Sequence, residues 1–287
     1  MTAATLSGWS LPRRRPSALP GFGPTLGFAL AYLSLIVLIP LSVLVWRASG
    51  LGIGGLVAVA SSPRVRAALE TSFYLSLVAA ALNAVAGLVV AWVLTRYRFP
   101  GRAVLDAMVD LPFALPTAVA GIALAAIYAT NGWVGSLVND LFGIRIAFTP
   151  SGIFVALVFI GLPFVVRTVQ PVLADLDREV EEASATLGAS RLQTVVRVIL
   201  PAMLPAVLTG FALAFARAVG EYGSVIFIAG NMPFVSEIAP LLIIVQLEEF
   251  NYVGATAIAV VMLAISFTSL LAINLVQAWC LRRYGHV

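Results

Sequence analysis

The chain of 287 residues is 61% hydrophobic and 10% charged, with a mean hydropathy of +1.03, which leaves too few polar side chains to cover a water-soluble domain of that length. Its net charge of +4 rests on 17 cations, all of them Arg; they are not interleaved with aromatics along one face, as phosphate tracking and base stacking require, so nucleic acid is excluded as a partner. Cys280 is the only cysteine, which excludes an internal disulfide and a thiolate cage, and the solitary His286 lacks the companions of a metal site with three or four ligands.

Residues 1–23, with Pro12, Pro16, Pro20 and the run Arg13, Arg14, Arg15, read as a cytoplasmic N-terminal tail. The apolar run that follows is too long for a secretory signal and long enough to cross roughly 30 Å of hydrocarbon, so it reads as a retained helix. Spanning runs recur at about 25–46, 70–95, 104–128, 151–172, 203–229 and 252–279, each meeting the requirement of roughly 20 apolar residues. These predict an all-α membrane protein of six transmembrane helices, one transmembrane domain over 24–280, and a cytoplasmic tail at 281–287.

Arg13, Arg14, Arg15, Arg96, Arg98, Arg102, Arg167, Arg178, Arg191, Arg197, Arg282 and Arg283 fall on one side of that topology, against Arg47, Arg64, Arg66 and Arg145 on the other. The bias places both termini in the cytoplasm. Arg64 and Arg66 run against it, and a short interfacial helix over 63–69 accommodates them. Pro112 and Pro116, four apart in the third run, predict a shaped, cavity-lining helix, because each proline frees a carbonyl that a neighbour or pore water must satisfy. Pro163 lies in the fourth run. Asp106 and Asp110 near the cytoplasmic end of the third read as compensation of a helix N-terminus, with Arg96, Arg98 and Arg102 close in sequence.

The loop at about 173–201 is unlike its neighbours. Asp175, Asp177, Glu179, Glu181 and Glu182 crowd into it, while Leu173, Leu176, Val180, Ala183 and Leu187 recur at helical spacing, predicting an amphipathic helix with an acidic face. A helix lying on anionic headgroups would be basic rather than acidic. Ala183, Ser184 and Ala185 are small enough for close approach of a partner, and Gly188 suits a left-handed helix end. Leu200-Pro201 marks the first turn of the next spanning helix.

The segment Glu182-Ala183-Ser184-Ala185-Thr186-Leu187-Gly188, followed after nine residues by Val198-Ile199-Leu200-Pro201, resembles the EAA loop of bacterial ABC importer permeases. Ser184 stands where the family pattern has its second Ala, and Val198 where it has Ile. The resemblance implies the type I importer permease fold and a cytoplasmic coupling helix docked on an ATPase, with Glu181, Glu182, Ala183, Ser184, Leu187 and Gly188 at the contact. With no Lys anywhere the chain holds no Walker A loop, and it has no nucleophile–base pair. ATP and magnesium therefore belong to another subunit, and this chain is not an enzyme.

The fifth run carries Arg217-Ala218-Val219-Gly220-Glu221-Tyr222-Gly223-Ser224. Arg217 is expected near the bilayer midplane, where a charge is costly and marks a candidate site. Glu221 is one helical turn on, so the two read as a neutralising ion pair. They also read as the border of an anion path, together with Gly220, Tyr222, Gly223, Ser224, Pro112 and Pro116, because glycine amides and a guanidinium supply donors.

From Arg217 to Asn231, then from Ser236-Glu237-Ile238 through Leu247-Glu248 to Tyr252 and Gly254-Ala255, the chain resembles the T-type subunits of sulfate/thiosulfate permeases. Arg96-Tyr97-Arg98-Phe99-Pro100-Gly101 and Asp110 to Pro116 belong to the same likeness. Molybdate permeases share the Gly-Glu-aromatic-Gly element, which leaves a molybdate, tungstate or other oxyanion permease as the alternative, with an ion-coupled secondary transporter behind it. The resemblance implies an inner-membrane importer subunit embedded in lipid. Its expected partners are two ATP-binding subunits, a second, W-type permease and a periplasmic sulfate/thiosulfate-binding protein.

Overall fold

The structure is a computed structural model that describes residues 22–284; the N-terminal tail up to residue 21 and the last three residues, including His286, lie outside it. Residues up to Arg47 form one compact unit and those from Ala48 a second. In the first, α1 (Phe22–Ser49, reaching just past the boundary) is one continuous apolar helix. It contains a π-helical turn at Ser34–Leu38, where the Ile39 N–H reaches back to the Ser34 carbonyl. Pro40 follows at once. A proline ring clashes with the carbonyl four residues back, and widening the preceding turn relieves that clash.

The second unit begins with α2 (Gly52–Ala60) and α3 (Pro63–Arg96). Pro63 opens α3 rather than a separate interfacial helix over 63–69, because its fixed φ and missing N–H suit the first helical position; the short helix is α2, one loop earlier. After a turn at Gly101, φ 84°, come α4 (Arg102–Val109), α5 (Leu111–Ala114) and α6 (Thr117–Tyr128). The single helix expected over 104–128 is thus in three pieces. Leu115 is extended, ψ 134°, as a residue before proline prefers, and Pro116 caps α6. Next, α7 (Trp133–Phe142) is bent by 42° from α6, and the two together are apolar enough for one span. Then follow α8 (Pro150–Asp175), α9 (Arg178–Thr186) and α10 (Arg191–Val219). The last elements are α11 (Val225–Ile228), α12 (Ala239–Glu248) and α13 (Tyr252–Tyr284).

Among the described residues, five helices are long and apolar enough to cross a membrane, and the bent α6–α7 pair brings the number to six. The run expected over 203–229 differs at both ends. α10 starts at Arg191 and passes Pro201 through a second π turn, Val195–Ile199, with the Leu200 N–H on the Val195 carbonyl. Pro201 is therefore inside the spanning helix and not in its first turn. At the other end Gly220 stops α10 ten residues early, and the apolar residues that extended the run in sequence form the separate α11.

The core lies where α3, α8 and α10 cross. Val165, Val166 and Val169 of α8 are fully buried against Ala91, Leu94, Met203 and Phe215. Gly87 of α3 and Gly210 of α10 both face Val165: a Cβ on Gly87 would come within 2.7 Å of its side chain, and one on Gly210 within 2.8 Å of its Cα. Small residues let membrane helices approach closely where no hydrophobic force drives them together. A second cluster joins Leu124 of α6 and Ile153 and Leu157 of α8 to Val225 and Ile228 of α11.

Candidate coupling and translocation sites

The predicted amphipathic helix forms as α9, shorter than its stripe. Leu173 is the buried end of α8 and Leu176 its C-cap, so only Val180 and Ala183 of the stripe lie on α9 itself. Glu179 and Glu181 in the first turn complement the helix dipole. Its far end is a Schellman closure: the Ala189 N–H donates to the Ser184 carbonyl at 3.1 Å and the Gly188 N–H to the Ala185 carbonyl at 3.0 Å. Gly188 carries φ 82°, and a Cβ there would meet nothing within 4 Å. The glycine is required by backbone conformation, not by space within this chain.

Beyond it, Ser190 starts α10 with a capping box. Its Oγ accepts from the Gln193 N–H and its own N–H donates to Gln193 Oε1. Ser184 is not a passive substitute for Ala. Its hydroxyl lies 2.8 Å from Thr194 Oγ1 and donates to the Glu181 carbonyl, tying α9 to the start of α10. Glu181 meets Arg96, at the end of α3, at 2.7 Å; the groups are out of hydrogen-bond alignment, so this contact is coulombic. Arg96 also lies 5.8 Å from the ring centroid of Trp92. Glu182 and Ala183 are exposed, and Leu187 is 88% exposed. Five of the six proposed contact residues are thus on or flanking one short helix that is anchored on two sides and open on a third, and the sixth, Gly188, ends it.

A larger polar clamp escaped the sequence reading. Arg167 of α8 donates Nε and Nη2 to both carboxylate oxygens of Asp110, at 2.7 and 2.6 Å, and Nη1 to Asp106 Oδ1 at 2.7 Å. Gln170 completes it through Asp106 Oδ1. Asp106 and Asp110 are therefore fastened to α8 about three turns before α9, and Asp106 also feels the charge of Arg102. Three ionisable residues inside or beside two spanning runs were the available signal. On another part of the fold, Arg64 grips Glu237 with two hydrogen bonds of 2.7 and 2.9 Å, pinning the loop before α12 to the start of α3.

The candidate path residues gather at two helix breaks. Because α10 ends at Val219, Arg217 occupies its last turn instead of the middle of a span, and Glu221 lies beyond the helix end. They still form an ion pair, with Arg217 34% exposed and Glu221 2%. Glu221 Oε1 accepts from both the N–H and the hydroxyl of Ser224, each at 2.9 Å. Against this loop sits the start of α6. A Cβ on Gly223 would fall 2.2 Å from Thr117 Oγ1, and one on Gly121 would fall 2.3 Å from the Ser224 carbonyl oxygen. Pro116 and Gly220–Ser224 are thus brought to one place, with Gly220 facing open space. Pro112 sits on α5, which leans on α8 through an edge-to-face contact of Phe113 with Phe164, centroids 5.0 Å apart.

The residues from 83 to 284 match the family model described as binding-protein-dependent transport system inner membrane component. The sulfate transport system permease protein CysT of Synechococcus elongatus is 52% identical over 258 residues, covering 90% of this chain and 92% of that protein. That of Escherichia coli is 49% identical over 269 residues, covering 93% and 97%. Among solved structures, a bacterial alginate ABC transporter in complex with a pentasaccharide-bound periplasmic protein superposes with a TM-score of 0.71 at 16% identity, over 88% of this chain and 92% of that one. An inward-facing MetNI methionine ABC transporter reaches 0.57 at 19% identity, over 77% and 97%. A multi-pass helical fold, a closed short helix between the fourth and fifth spans and this match along most of the length agree: the chain belongs to the binding-protein-dependent transport system inner membrane components, as a non-catalytic permease of the ABC type.

Proposed function

We infer that this chain is the T-type permease of an ATP-driven sulfate importer. The observation that carries the reading is identity of about one half, along nine-tenths of the chain, to proteins named as sulfate transport permeases. The geometry of α9 supports it. An exposed acidic helix with a projecting Leu187 fits a partner ATPase, which supplies ATP and magnesium. Two such ATPases, a W-type permease and a periplasmic sulfate/thiosulfate-binding protein complete the assembly in the inner membrane, with both termini in the cytoplasm.

In this reading ATP binding draws the ATPases together and displaces α9. The Arg96–Glu181 and Ser184–Thr194 contacts pass that displacement to α3 and α10. The α10–α11 break with Arg217, Gly220 and Tyr222 then borders the opening through which the anion passes. A translocation path must not hold its ion tightly. Glu221 meets that demand by neutralising Arg217, so a dianion encounters a weakened cation and backbone donors rather than a deep well. Competition of sulfate uptake by thiosulfate and molybdate, in vesicles carrying the assembled transporter and its binding protein, tests the cargo. Sulfate and thiosulfate are expected to compete and molybdate to fail; molybdate uptake without any sulfate uptake would move the assignment to the oxyanion permeases that share Gly220-Glu221-Tyr222-Gly223.

A further inference from the structure

The ends of α3 and α4 enclose an apolar groove of about 340 Å³, walled by Val89, Val93 and Leu94 of α3, Leu105 and Met108 of α4, and Leu162 of α8. The two walls are joined by the turn through Tyr97, Arg98, Pro100 and Gly101. Arg98 and Arg102 are both exposed on that turn, and neither forms an ion pair among the described residues. Of the nearby acids, Asp106 and Asp110 pair with Arg167 and Glu181 with Arg96, while Asp106 also attracts Arg102 from beyond ion-pair distance and Glu182 shares a pocket with Arg96 and Tyr97. Tyr97, the residue that ends α3, is 56% exposed. Tyrosine favours the level of the lipid headgroups, and α3 ends there after crossing the hydrocarbon.

We propose that this groove seats one anionic phospholipid, its acyl chain along Val93, Leu105 and Met108 and its phosphate against Arg98 and Arg102. Charge complementarity selects the occupant. A second protein helix would fill the apolar part as well, but it would leave Arg98 without a counter-ion and Arg102 with only the distant Asp106, which Arg167 already holds. Basic positions beside an intramembrane apolar cleft hold anionic headgroups through charge-assisted hydrogen bonds, and a neutral zwitterion loses most of that attraction. The site is separate from the α10–α11 break, and its Tyr97 borders the pocket that Arg96 shares with Glu181 and Glu182 of α9.

The test uses the assembled transporter in vesicles of phosphatidylcholine doped with either phosphatidylglycerol or phosphatidylcholine bearing a photoreactive acyl chain, with the labelled peptides mapped by mass spectrometry. Phosphatidylglycerol is expected to label the stretch 89–108 at least fivefold more than phosphatidylcholine. The excess is expected to vanish in the doubly substituted Arg98→Gln/Arg102→Gln chain. Met108→Trp, which fills the groove and keeps both charges, should lose the label too and guards against misfolding of the charge variant. Equal labelling by the two lipids, or labelling unchanged by either substitution, overturns the proposal. So does efficient cross-linking of Val93→Cys or Leu105→Cys to the second permease, which would make the groove a protein interface.

Discussion

Gly188 separates two demands that the coupling helix places on one residue. Its φ of 82° requires a left-handed conformation, while the space around it is open within this chain. A left-handed non-glycine residue costs ~1–2 kcal/mol, with Asn among the least penalised. Ala at 188 should therefore reduce the population of the closed α9 end by about 5- to 30-fold, a tenfold change corresponding to ~1.4 kcal/mol. Asn should cost less than threefold, roughly 0.6 kcal/mol on the same scale. Arg pays a similar backbone cost and adds a long side chain on the face open to the ATPase, so it should abolish docking while the chain still inserts. The assay is the dissociation constant of purified permease for its ATPase, read beside sulfate uptake. Affinity falling in the order Gly, Asn, Ala, Arg is the expected result. Wild-type affinity for the Arg variant would refute docking at this helix end, and equal affinities for Ala and Asn would refute the conformational argument.

Four further outcomes follow from particular contacts. Ser184→Ala restores the family residue but removes the bond to Thr194, and it should loosen α9 by about 1 kcal/mol; a double-mutant cycle with Thr194→Val that shows no coupling would count against the tie. Arg167→Ala leaves Asp106 and Asp110 without their partner, and since these groups are 31–48% exposed the loss should stay near ~1 kcal/mol, a fall of about 2–4 °C in the melting temperature; an unchanged melting curve would show the clamp to be idle. Glu221→Gln keeps an acceptor for Ser224 but strands Arg217, so stability and uptake should both drop, whereas Arg217→Gln/Glu221→Gln should regain stability without uptake; recovery of both would assign the pair to packing alone. Gly121→Ala drives a methyl group toward the Ser224 carbonyl and should cost ~1–3 kcal/mol by overpacking; a neutral result would mean that the α6–α11 contact is loose.

What could be read from the chain follows from the range over which its physics acts. Apolar runs of bilayer length mark the spans because every lipid-facing residue contributes to the signal. The coupling segment was legible because Gly188, three small residues and a block of acids act locally. The breaks were less so. Pro112 and Pro116 announced a distorted helix, but not that α4, α5 and α6 would be separate. Val225 to Ala229 continued an apolar run across a real helix end, since hydropathy does not register the stop that Gly220 makes at Val219. Both π turns precede a proline, Pro40 and Pro201, and neither has a compositional mark of its own. The Arg167 clamp joins residues 57 and 61 positions apart, and no local spacing encodes a contact of that range.

The most direct measurement is accumulation of radiolabelled sulfate in vesicles reconstituted with this chain, its W-type partner, the ATPase and the binding protein. Uptake against a gradient should require ATP, stop when the ATPase is omitted, and stop with Gly188→Arg in place. Sulfate accumulation by this chain alone, driven by an ion gradient without any ATPase, would contradict the account.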